Sequence, residues 1–431
     1  MDIVSIYSIY NKYPNIVTDS RIKQSNGIFF ALKGDNFNGN EYAKISIVNG
    51  CNIAIIDEPK YKLNDNYILV ENTLECLQKL ANYHRRQLNI PILAITGTNG
   101  KTTTKELINA ILSKKYQTTA TKGNLNNHIG VPLTILSMNK TTEIGIVEMG
   151  ANHPGEIEYL CQIAEPDFGI ITNIGKAHIE GFGSFEGVKA TKNELYKYIQ
   201  ENHGKLFINL DNKILVSLID SQEIITYGTN KSTYCIGNIK DVNPYLELNW
   251  KLIRNLKYHS ISTKLIGAYN LENVLAAICI GSYFEVSDTE INNAIENYTP
   301  NNNRSQLLKT EKNTLLLDLY NANPTSMKAA IENLDLINAK NKIAIIGDML
   351  ELGKVSKKEH LSIAQLLSDK RFNKVFVVGS LFYNVLDNNR FQYFKNVDDL
   401  KIYLLSNAIE SSTILIKGSR GIHLEKIVDC L

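Results

Sequence analysis

The sequence predicts an α/β protein with three domains. Its 431 residues are enough for about three domains of ordinary size. Short apolar runs alternate with stretches of helical periodicity along most of the chain, which is typical of sheets covered by helices. Two proline-containing joints, at residues 89–91 and 300–303, interrupt this alternation. We therefore expect domains at residues 1–89, 90–301 and 302–431.

The first region contains three short apolar runs that predict strands, at residues 28–32, 53–56 and 67–70. Residues 74–88 predict a helix, because apolar side chains recur there every three or four positions. The residue before a proline resists helical conformation, so this helix should end ahead of Pro91.

The second region begins with a strand at residues 92–95, which leads through a glycine-rich turn into a helix. Later apolar runs recur with helical stretches between them, as the connections of a parallel sheet require. They predict strands at residues 144–147, 168–171 and 206–208, and helices at about 271–284 and 289–298. We expect a central domain with a parallel sheet.

The third region repeats this alternation on a smaller scale. Its apolar runs predict strands at residues 315–317, 343–346, 375–378 and 414–416. Each run is followed by turn residues, and the first three are then followed by a helical stretch. This pattern predicts a small Rossmann-like sheet.

Composition excludes several classes of function. Hydrophobic residues make up 44% of the chain and charged residues 21%, as in soluble globular proteins. The net charge of +2 gives no basic excess for binding nucleic acid or an anionic membrane. The six cysteines form no C-x-x-C pair, which argues against a disulfide framework and a zinc site. Without a signal peptide or a long apolar stretch, the chain is predicted to be soluble and cytoplasmic. No stretch is apolar enough to demand a partner, so a monomer is expected.

Residues 96–104, Thr-Gly-Thr-Asn-Gly-Lys-Thr-Thr-Thr, form the most informative segment. Glycines let backbone N–H groups approach phosphate oxygens, and the following helix contributes its positive end. Lys101 can reach the β- and γ-phosphates, and Thr102 can place its hydroxyl on Mg²⁺. Position 95 is Ile, so the strict G-x-x-x-x-G-K-[ST] pattern is not met, and an ordinary glycine-rich turn is the alternative. The loop predicts ATP or GTP but no particular reaction.

Three later residues are candidates for a metal site. Glu148 ends a predicted strand, the position from which P-loop enzymes hold a metal ion. His178 follows the next strand, although a lone histidine is more often packed or exposed than a ligand. Lys192 lies in a predicted helix, where a solvated lysine is the ordinary interpretation.

The phosphate loop and the segments around these three residues resemble the Mur ligase family in order and spacing. This resemblance implies that Lys192 is carbamylated by CO₂, which turns its amine into an oxygen ligand suited to Mg²⁺. It also implies that Thr102 and Glu148 hold one Mg²⁺ on the nucleotide. His178 and carbamylated Lys192 would hold a second one.

Further segments resemble the members of this family that add D-alanyl-D-alanine to UDP-N-acetylmuramoyl tripeptide. The resemblance covers nearly the whole chain and includes residues 18–21, 29–40, 123–132, 148–156, 318–327, 347–353 and 417–421. It departs from the usual family pattern at Tyr269, Leu317 and residues 38–40. It implies that the amino-terminal domain binds the UDP-sugar and that ATP activates the tripeptide carboxylate as an acyl phosphate.

The predicted site residues follow from the loop and the resemblance together. Catalytic roles are expected for Lys101, Glu148, His178 and Lys192. ATP contacts are expected from Gly97, Thr98, Asn99, Gly100, Lys101, Thr102, Thr103, Asn270, Arg304 and Asp318. Substrate contacts are expected from Ser20, Arg21, Lys33, Gly34, Asn126, Asn127, Tyr320, Asn321 and Asn323.

Three other functions compete with this one. The first is another amide ligase of the same family, either one that adds a diamino acid or one like folylpolyglutamate synthetase. The second is a nucleotide-controlled switch that hydrolyses ATP to move domains, which would need neither His178 nor Lys192. The third is an inactive scaffold, which the presence of every proposed metal ligand disfavours.

Overall fold

The computed structural model describes residues 1–220, 223–300, 306–385 and 391–431. The described residues form three main sheets, one in each of the three regions expected from the sequence. The α/β class is therefore confirmed. Residues 301–303 of the second joint, and Arg304, lie outside the described residues. No helix among the described residues is both long and apolar enough to cross a bilayer.

The amino-terminal sheet is parallel, with strand order β1-β2-β5-β6, and β3 and β4 form a separate antiparallel hairpin. The strands are β1 (Asn15–Val17), β2 (Gly27–Phe30), β3 (Lys33–Gly34), β4 (Phe37–Asn38), β5 (Cys51–Ile56) and β6 (Tyr67–Leu69). The helices are α1 (Ile3–Lys12), α2 (Ala43–Val48) and α3 (Thr73–Leu88), with 3₁₀ turns at Gly39–Tyr42 and Pro59–Tyr61.

Helix α3 joins the amino-terminal sheet to the central domain. Its start is capped by Asn72, whose side chain accepts a hydrogen bond from Glu75 N at 3.0 Å. Leu77 and Leu80 are fully buried in a core that includes residues of both domains. Arg85 Nη2 lies 2.8 Å from Asp167 Oδ2 of the central domain. This helix therefore fixes the position of the amino-terminal domain.

The central sheet has strand order β15-β14-β13-β12-β11-β10-β7-β9-β8. Its strands are β7 (Ile92–Thr96), β8 (Thr118–Ala120), β9 (Ile144–Glu148), β10 (Phe168–Ile171), β11 (Lys205–Asn209), β12 (Ile224–Gly228), β13 (Cys235–Asp241), β14 (Glu247–Leu252) and β15 (His259–Ser262). Its helices are α4 (Lys101–Leu112), α5 (Gly130–Leu136), α6 (Glu156–Ala164), α7 (Ile179–Phe182), α8 (Phe185–Glu201), α9 (Lys213–Val216), α10 (Asn270–Tyr283) and α11 (Asp288–Asn297).

The expected parallel sheet is present, but it is extended by an antiparallel part. Strands β13, β14 and β15 pair in antiparallel register at one edge. Strand β7 lies between β9 and β10, so the strand order reverses beside it. In open α/β sheets, ligands bind in the crevice at the carboxyl ends of strands at such a point. The phosphate loop directly follows β7.

The carboxy-terminal sheet has strand order β16-β17-β21-β18-β19-β20, with only the β16–β17 pair antiparallel. Its strands are β16 (Gln306–Lys309), β17 (Thr314–Asp318), β18 (Lys342–Gly347), β19 (Lys374–Val378), β20 (Gln392–Phe394) and β21 (Thr413–Lys417). Its helices are α12 (Pro324–Leu336), α13 (Ser356–Asp369), α14 (Ser380–Tyr383) and α15 (Val397–Ser406), with 3₁₀ turns at Gly353–Val355, Arg420–Ile422 and Leu424–Cys430.

Candidate active site

A cleft of about 770 Å³ lies between the central and carboxy-terminal domains. Its walls come from the loops after β7, β9 and β10, from α8, from the start of α10 and from the loop after β17. Sixteen of the predicted site residues line it: Gly97, Thr98, Asn99, Gly100, Lys101, Thr103, Asn126, Asn127, Glu148, His178, Lys192, Asn270, Asp318, Tyr320, Asn321 and Asn323. The structure thus gathers residues that are up to 226 positions apart, from Gly97 to Asn323.

The phosphate loop needs glycine at two positions. Gly97 and Gly100 have φ angles of +145° and +79°, a backbone conformation that residues other than glycine rarely adopt. A Cβ on Gly97 would lie 2.0 Å from Thr172 Oγ1, and one on Gly100 would lie 2.5 Å from Asn273 Oδ1. Lys101 Nζ donates to Gly97 O at 2.8 Å, so its ammonium lies over the loop and beside the cleft. This geometry suits a bound phosphate chain.

Glu148 and Thr102 are held together beside the loop. Glu148 is buried, and its Oε2 accepts a hydrogen bond of 2.9 Å from Thr102 Oγ1. Its Oε1 accepts one of 2.8 Å from Asn126 Nδ2. Thr102 does not itself line the cleft but is joined to it through this contact. The pair presents a hydroxyl and a carboxylate oxygen, both of which are Mg²⁺ ligands by type.

Lys105 supports this arrangement and was missed by the sequence analysis. It is fully buried, and its ammonium donates to the carbonyl oxygen of Thr121. Thr121 Oγ1 in turn accepts a hydrogen bond of 2.9 Å from Glu148 N. Lys105 therefore fixes the backbone that carries Glu148. Nothing in the sequence distinguishes it from a solvated helix lysine.

Lys192 is buried in α8 and faces the cleft. Its Nζ lies 5.5 Å from the centre of the Phe182 ring. Burial, assisted by the like charge of Lys101, lowers the pKa of the Lys192 amine to about 7. A large fraction of this side chain is therefore neutral near physiological pH, unlike a solvated lysine.

His178 follows β10 and begins α7 with a left-handed backbone, at a φ of +50°. Its Nδ1 lies 2.7 Å from Oε2 of Glu351 in the carboxy-terminal domain. The hydrogen bond from His178 lowers the pKa of the Glu351 carboxyl. The imidazole packs edge-on against Phe182, with ring centres 6.4 Å apart. His178 and Lys192 therefore flank the same aromatic ring.

The carboxy-terminal wall is organised by Asn323 and Lys417. Asn323 Nδ2 donates to Asn99 Oδ1 of the phosphate loop at 2.7 Å, while its Oδ1 caps α12. Lys417 is buried and lies 2.6 Å from Asp318 Oδ2 and 3.0 Å from the carbonyl of Asn321. Lys417 was not predicted as a site residue, although residues 417–421 were noted as similar to the family.

The wall on the α10 side is a network of amides. Asn273 Nδ2 donates to Asn270 Oδ1 at 2.8 Å, and Thr104 Oγ1 donates to Asn273 Oδ1 at 3.1 Å. Asn270 is buried and donates to the carbonyl of Ile266 at 2.8 Å. The network connects the start of α10 to α4, directly after the phosphate loop.

Comparison with known proteins assigns the family. The Mur ligase middle domain model matches residues 95–281, and the Mur ligase, glutamate ligase domain model matches residues 303–420. The UDP-N-acetylmuramoyl-tripeptide--D-alanyl-D-alanine ligase of Bacillus subtilis is 34% identical to this chain, over 96% of this chain and 92% of the relative. The chain belongs to the MurF branch of the Mur ligase family.

Solved structures agree with this assignment. A crystal structure of MurF from Acinetobacter baumannii superposes with a TM-score of 0.87 and 29% identity, over 96% of this chain and 92% of that one. The MurF ligase of Thermotoga maritima in complex with ADP has a TM-score of 0.84 and 24% identity, over 96% of each chain. The second likeness shows the fold only. The resemblance stated from the sequence is confirmed.

Four predicted substrate residues of this Mur ligase lie away from the cleft, in the amino-terminal domain. Lys33 Nζ lies 2.9 Å from Asp57 Oδ1 and 3.1 Å from Glu58 Oε1, on the β3–β4 hairpin that also carries Gly34. Arg21 is exposed and pairs with Asp19. Ser20 accepts a hydrogen bond from Asn49 through its carbonyl. Their assignment to the UDP end of the substrate stays a prediction.

The predicted metal ligands of this Mur ligase are of mixed type. Among the described residues, no group of three or more His, Cys, Asp or Glu side chains is arranged to hold a metal ion. The predicted set has only two such side chains, Glu148 and His178, together with the Thr102 hydroxyl and the Lys192 amine. The Thr102–Glu148 pair fits Mg²⁺ as it stands, whereas Lys192 fits only after conversion to an oxygen ligand.

Proposed function

We propose that this chain joins D-alanyl-D-alanine to UDP-N-acetylmuramoyl tripeptide, with conversion of ATP to ADP and phosphate. The observation that carries the proposal is that one cleft contains the phosphate loop, Glu148, His178, Lys192 and the polar segment after β17. The B. subtilis relative that bears this activity in its name matches over almost the full length of both chains. The product is the pentapeptide precursor of peptidoglycan.

ATP binds with its phosphates on the loop after β7. The N–H groups of Thr98 and Asn99 already donate to Asn173. The start of α4, from Gly100 onward, therefore supplies the positive end for the phosphate oxygens. Lys101 exchanges its contacts with the loop carbonyls for the β- and γ-phosphates. From the resemblance, Asn270 is proposed to contact the adenine, Asp318 to lie near the ribose and Arg304 to be a further ATP contact.

The chain's own residues are proposed to bind two Mg²⁺ ions. Thr102 and Glu148 hold the first, and the 2.9 Å contact between them already brings their oxygens together. His178 and carbamylated Lys192 would hold the second, and both lie close to the ring of Phe182. When bound, the ions neutralise the charge repulsion between a carboxylate and the γ-phosphate.

The state of Lys192 supports its carbamylation. Only a neutral amine attacks CO₂, and the pKa of about 7 leaves about half of this side chain neutral at pH 7. The N–C bond forms from the amine lone pair, and a proton leaves to solvent, so that an anionic carbamate replaces a buried cation. The positive charge of nearby Lys101 disfavours the ammonium form of Lys192 and favours the anionic carbamate.

The reaction proceeds in two steps. The tripeptide carboxylate attacks the γ-phosphorus, ADP leaves, and an acyl phosphate forms. The amine of D-alanyl-D-alanine then attacks the acyl carbon, a tetrahedral intermediate forms, and phosphate leaves with its bonding electron pair while the amine proton passes to solvent. Five residues that line the cleft are proposed to contact the substrates and exclude water: Asn126 and Asn127 from the central domain, and Tyr320, Asn321 and Asn323 from the carboxy-terminal domain.

The remaining substrate contacts and the cellular setting complete the proposal. Ser20, Arg21, Lys33 and Gly34 bind the UDP end of the substrate. The protein acts as a cytoplasmic monomer that needs no membrane or nucleic-acid partner. Its product supports wall synthesis, and through the wall it supports cell shape and division.

The test is phosphate release from ATP in the presence of UDP-N-acetylmuramoyl tripeptide and one candidate acceptor at a time. Release should depend on D-alanyl-D-alanine and should yield the pentapeptide by mass. Release driven by a diamino acid with the dipeptide precursor, or by glutamate with a folate, would assign one of the other amide ligases. Acceptor-independent hydrolysis that Lys192→Ala leaves unchanged would assign a switch.

A further inference from the structure

The turn between β14 and β15, residues 253–258, exposes a group of apolar side chains at one edge of the central sheet. We call this turn the hairpin tip. Leu256 is 99% exposed, the largest fraction among the large hydrophobic side chains of the described residues, and Ile253 and Tyr258 are 51% and 43% exposed. A single exposed apolar residue is ordinary on a soluble protein, whereas a contiguous group of them usually marks a contact surface.

The segment that contains this hairpin tip is basic. No Asp or Glu occurs from residue 248 to residue 271, whereas four lysines and arginines do. This stretch therefore has a charge of +4, in a chain whose total is +2. Arg254 and Lys257 are exposed at the tip, and Lys251 Nζ lies 5.0 Å from the centre of the Tyr258 ring. The small net charge of the whole chain conceals this local excess of positive charge.

The hairpin tip is held in shape by the strands that carry it. Trp250 and Leu252 of β14 are buried in the central core. At the turn itself, Ile253 N donates to the carbonyl of Tyr234 at 2.9 Å, and Asn255 N donates to the carbonyl of Leu252 at 2.9 Å. The exposed side chains of the tip are therefore presented to solvent by an ordered backbone.

The hairpin tip lies away from the cleft. Helix α10 begins at the cleft wall with Asn270 and is 14 residues long, about 21 Å at 1.5 Å per residue. Five residues after its last residue, Tyr283, Asp288 begins α11 and lies 3.1 Å from Nε2 of His259, the residue that follows the tip region. A partner on the tip would therefore leave the cleft open.

We propose that the hairpin tip docks reversibly onto the surface of an anionic lipid bilayer. Leu256 and Ile253 enter the headgroup region, and the cations beside them contact lipid phosphates. Burial of apolar area and attraction to anionic lipids add at such an interface, and this tip supplies both. A nucleic acid would use the cations but leave the exposed leucine without a role.

This contact goes beyond the proposed function, and turnover in solution does not require it. One short tip buries little apolar area, so its attachment is weak and reversible, as it is for a protein with a single acyl chain. Docking concentrates the protein at the membrane surface while the cleft stays open to soluble substrates.

The experiment sediments the intact protein with sucrose-loaded vesicles, made either of phosphatidylcholine alone or of equal parts phosphatidylcholine and phosphatidylglycerol. We expect binding to the anionic vesicles only, and a loss of binding as salt rises from about 0.05 to about 0.5 M, because screening then acts over shorter distances. Leu256→Ser should weaken partition onto the vesicles about 10-fold. The double variant Arg254→Gln/Lys257→Gln should weaken it about 25-fold, because each cation near an anionic surface contributes about 5-fold.

Two control variants carry matched changes elsewhere on the surface. Leu63→Ser removes an exposed leucine of the amino-terminal domain, and Lys357→Gln/Lys358→Gln removes two exposed charges of α13. Both controls should bind the anionic vesicles as the parent protein does. Phosphate release in solution should be the same in every variant, which also shows that each one is folded.

Three results would overturn the proposal: no binding of the parent protein to anionic vesicles, equal binding to phosphatidylcholine alone, or equal weakening in the tip and control variants. Binding to duplex DNA without binding to vesicles would also overturn it and would assign the cations to nucleic acid. The sedimentation needs no turnover. Failure of D-alanyl-D-alanine to drive phosphate release would therefore remove the proposed function and leave the vesicle result readable by itself.

Discussion

Asn99 in the phosphate loop and Asn323 at the start of α12 join two domains through their side-chain amides. Asn323 Nδ2 lies 2.7 Å from Asn99 Oδ1, and Asn99 Nδ2 lies 3.4 Å from Asn323 Oδ1. The same Asn323 oxygen accepts a hydrogen bond of 2.9 Å from Ser326 N and so caps the helix. One side chain therefore serves both the stability of its own domain and the connection to the nucleotide loop.

The two roles of Asn323 can be separated by substitution. Asn323→Ser keeps an oxygen for the helix cap but is too short to reach Asn99, so stability should be retained and phosphate release should fall about 2- to 10-fold, the value of one hydrogen bond. Asn323→Ala should show the same fall and also lose about 1 kcal/mol of unfolding free energy. Urea unfolding and phosphate release measure the two effects. Equal stability of the Ser and Ala variants would contradict this assignment.

The hydroxyl of Thr102 is expected to be essential, whereas its methyl group is not. Thr102→Ser keeps the donor to Glu148 and should retain phosphate release within about 5-fold. Thr102→Val has the same shape but leaves the buried Glu148 Oε2 without this partner and without the proposed cation ligand. A loss of about 100-fold or more is expected, at the upper end for a metal-site residue. Comparable rates for the Val and Ser variants would show that Thr102 has no such role.

The strands that are buried on both faces could be predicted from the sequence. Strand β9, predicted at residues 144–147, runs over Ile144–Glu148, and β10 was predicted at its observed bounds. Parallel strands covered by helices are continuous apolar runs, and such runs are easy to recognise. Strand β14 was missed because its residues alternate between buried and partly exposed positions, which breaks the apolar run. Helix α1 was missed because the amino terminus was examined only as a signal peptide.

The site could be predicted where a motif or the family resemblance named its residues, and not where it depends on tertiary contacts. The loop glycines follow from local backbone chemistry. Lys105 and Lys417 are buried lysines whose partners, Thr121 and Asp318, are set by the fold. In the sequence they resemble any other lysine. Glu351 is likewise connected to His178 only through the docking of two domains.

Lys417 and Asp318 are expected to act as a unit. Lys417 is buried and lies 2.6 Å from Asp318, so removal of either partner leaves a charge in a poorly solvated place. Lys417→Met and Asp318→Asn should each raise the KM for ATP, and the double variant should be no worse than the more impaired single one. Steady-state kinetics with a double-mutant cycle provides the measurement. Additive losses would show that the two residues act separately.

Carbamylation of Lys192 predicts a requirement for dissolved CO₂. The protein in CO₂-depleted buffer should lose most of its phosphate release and recover it when bicarbonate is added. The dependence should be steeper at pH 6 than at pH 8, because protonation of an amine with a pKa of about 7 opposes carbamate formation. Lys192→Ala should be inactive at any bicarbonate concentration. Full activity in CO₂-free buffer at pH 6 would argue against the modification.

The burial of Lys192 also predicts how stability changes with pH in CO₂-free buffer. Its amine has a pKa of about 7 in the folded chain against a usual value of 10.5, so between these values the unfolded chain binds a proton that the folded chain does not. The unfolding free energy should therefore rise between about pH 7 and pH 10.5, and this group should contribute up to about 1.4 kcal/mol per pH unit to the rise. Below about pH 7, the contribution of this group should not change with pH.

The variant Lys192→Met lacks this titration. As pH rises from 7 to 9.5, the unfolding free energy of the parent should therefore increase relative to that of Lys192→Met. Lys197→Met, at an exposed position of the same helix α8, provides the control and should follow the parent at every pH. Urea unfolding at pH 6, 7.5 and 9 measures all three proteins. Parallel curves for the parent and Lys192→Met would mean that Lys192 is solvated, and the structural basis for its reaction with CO₂ would be lost.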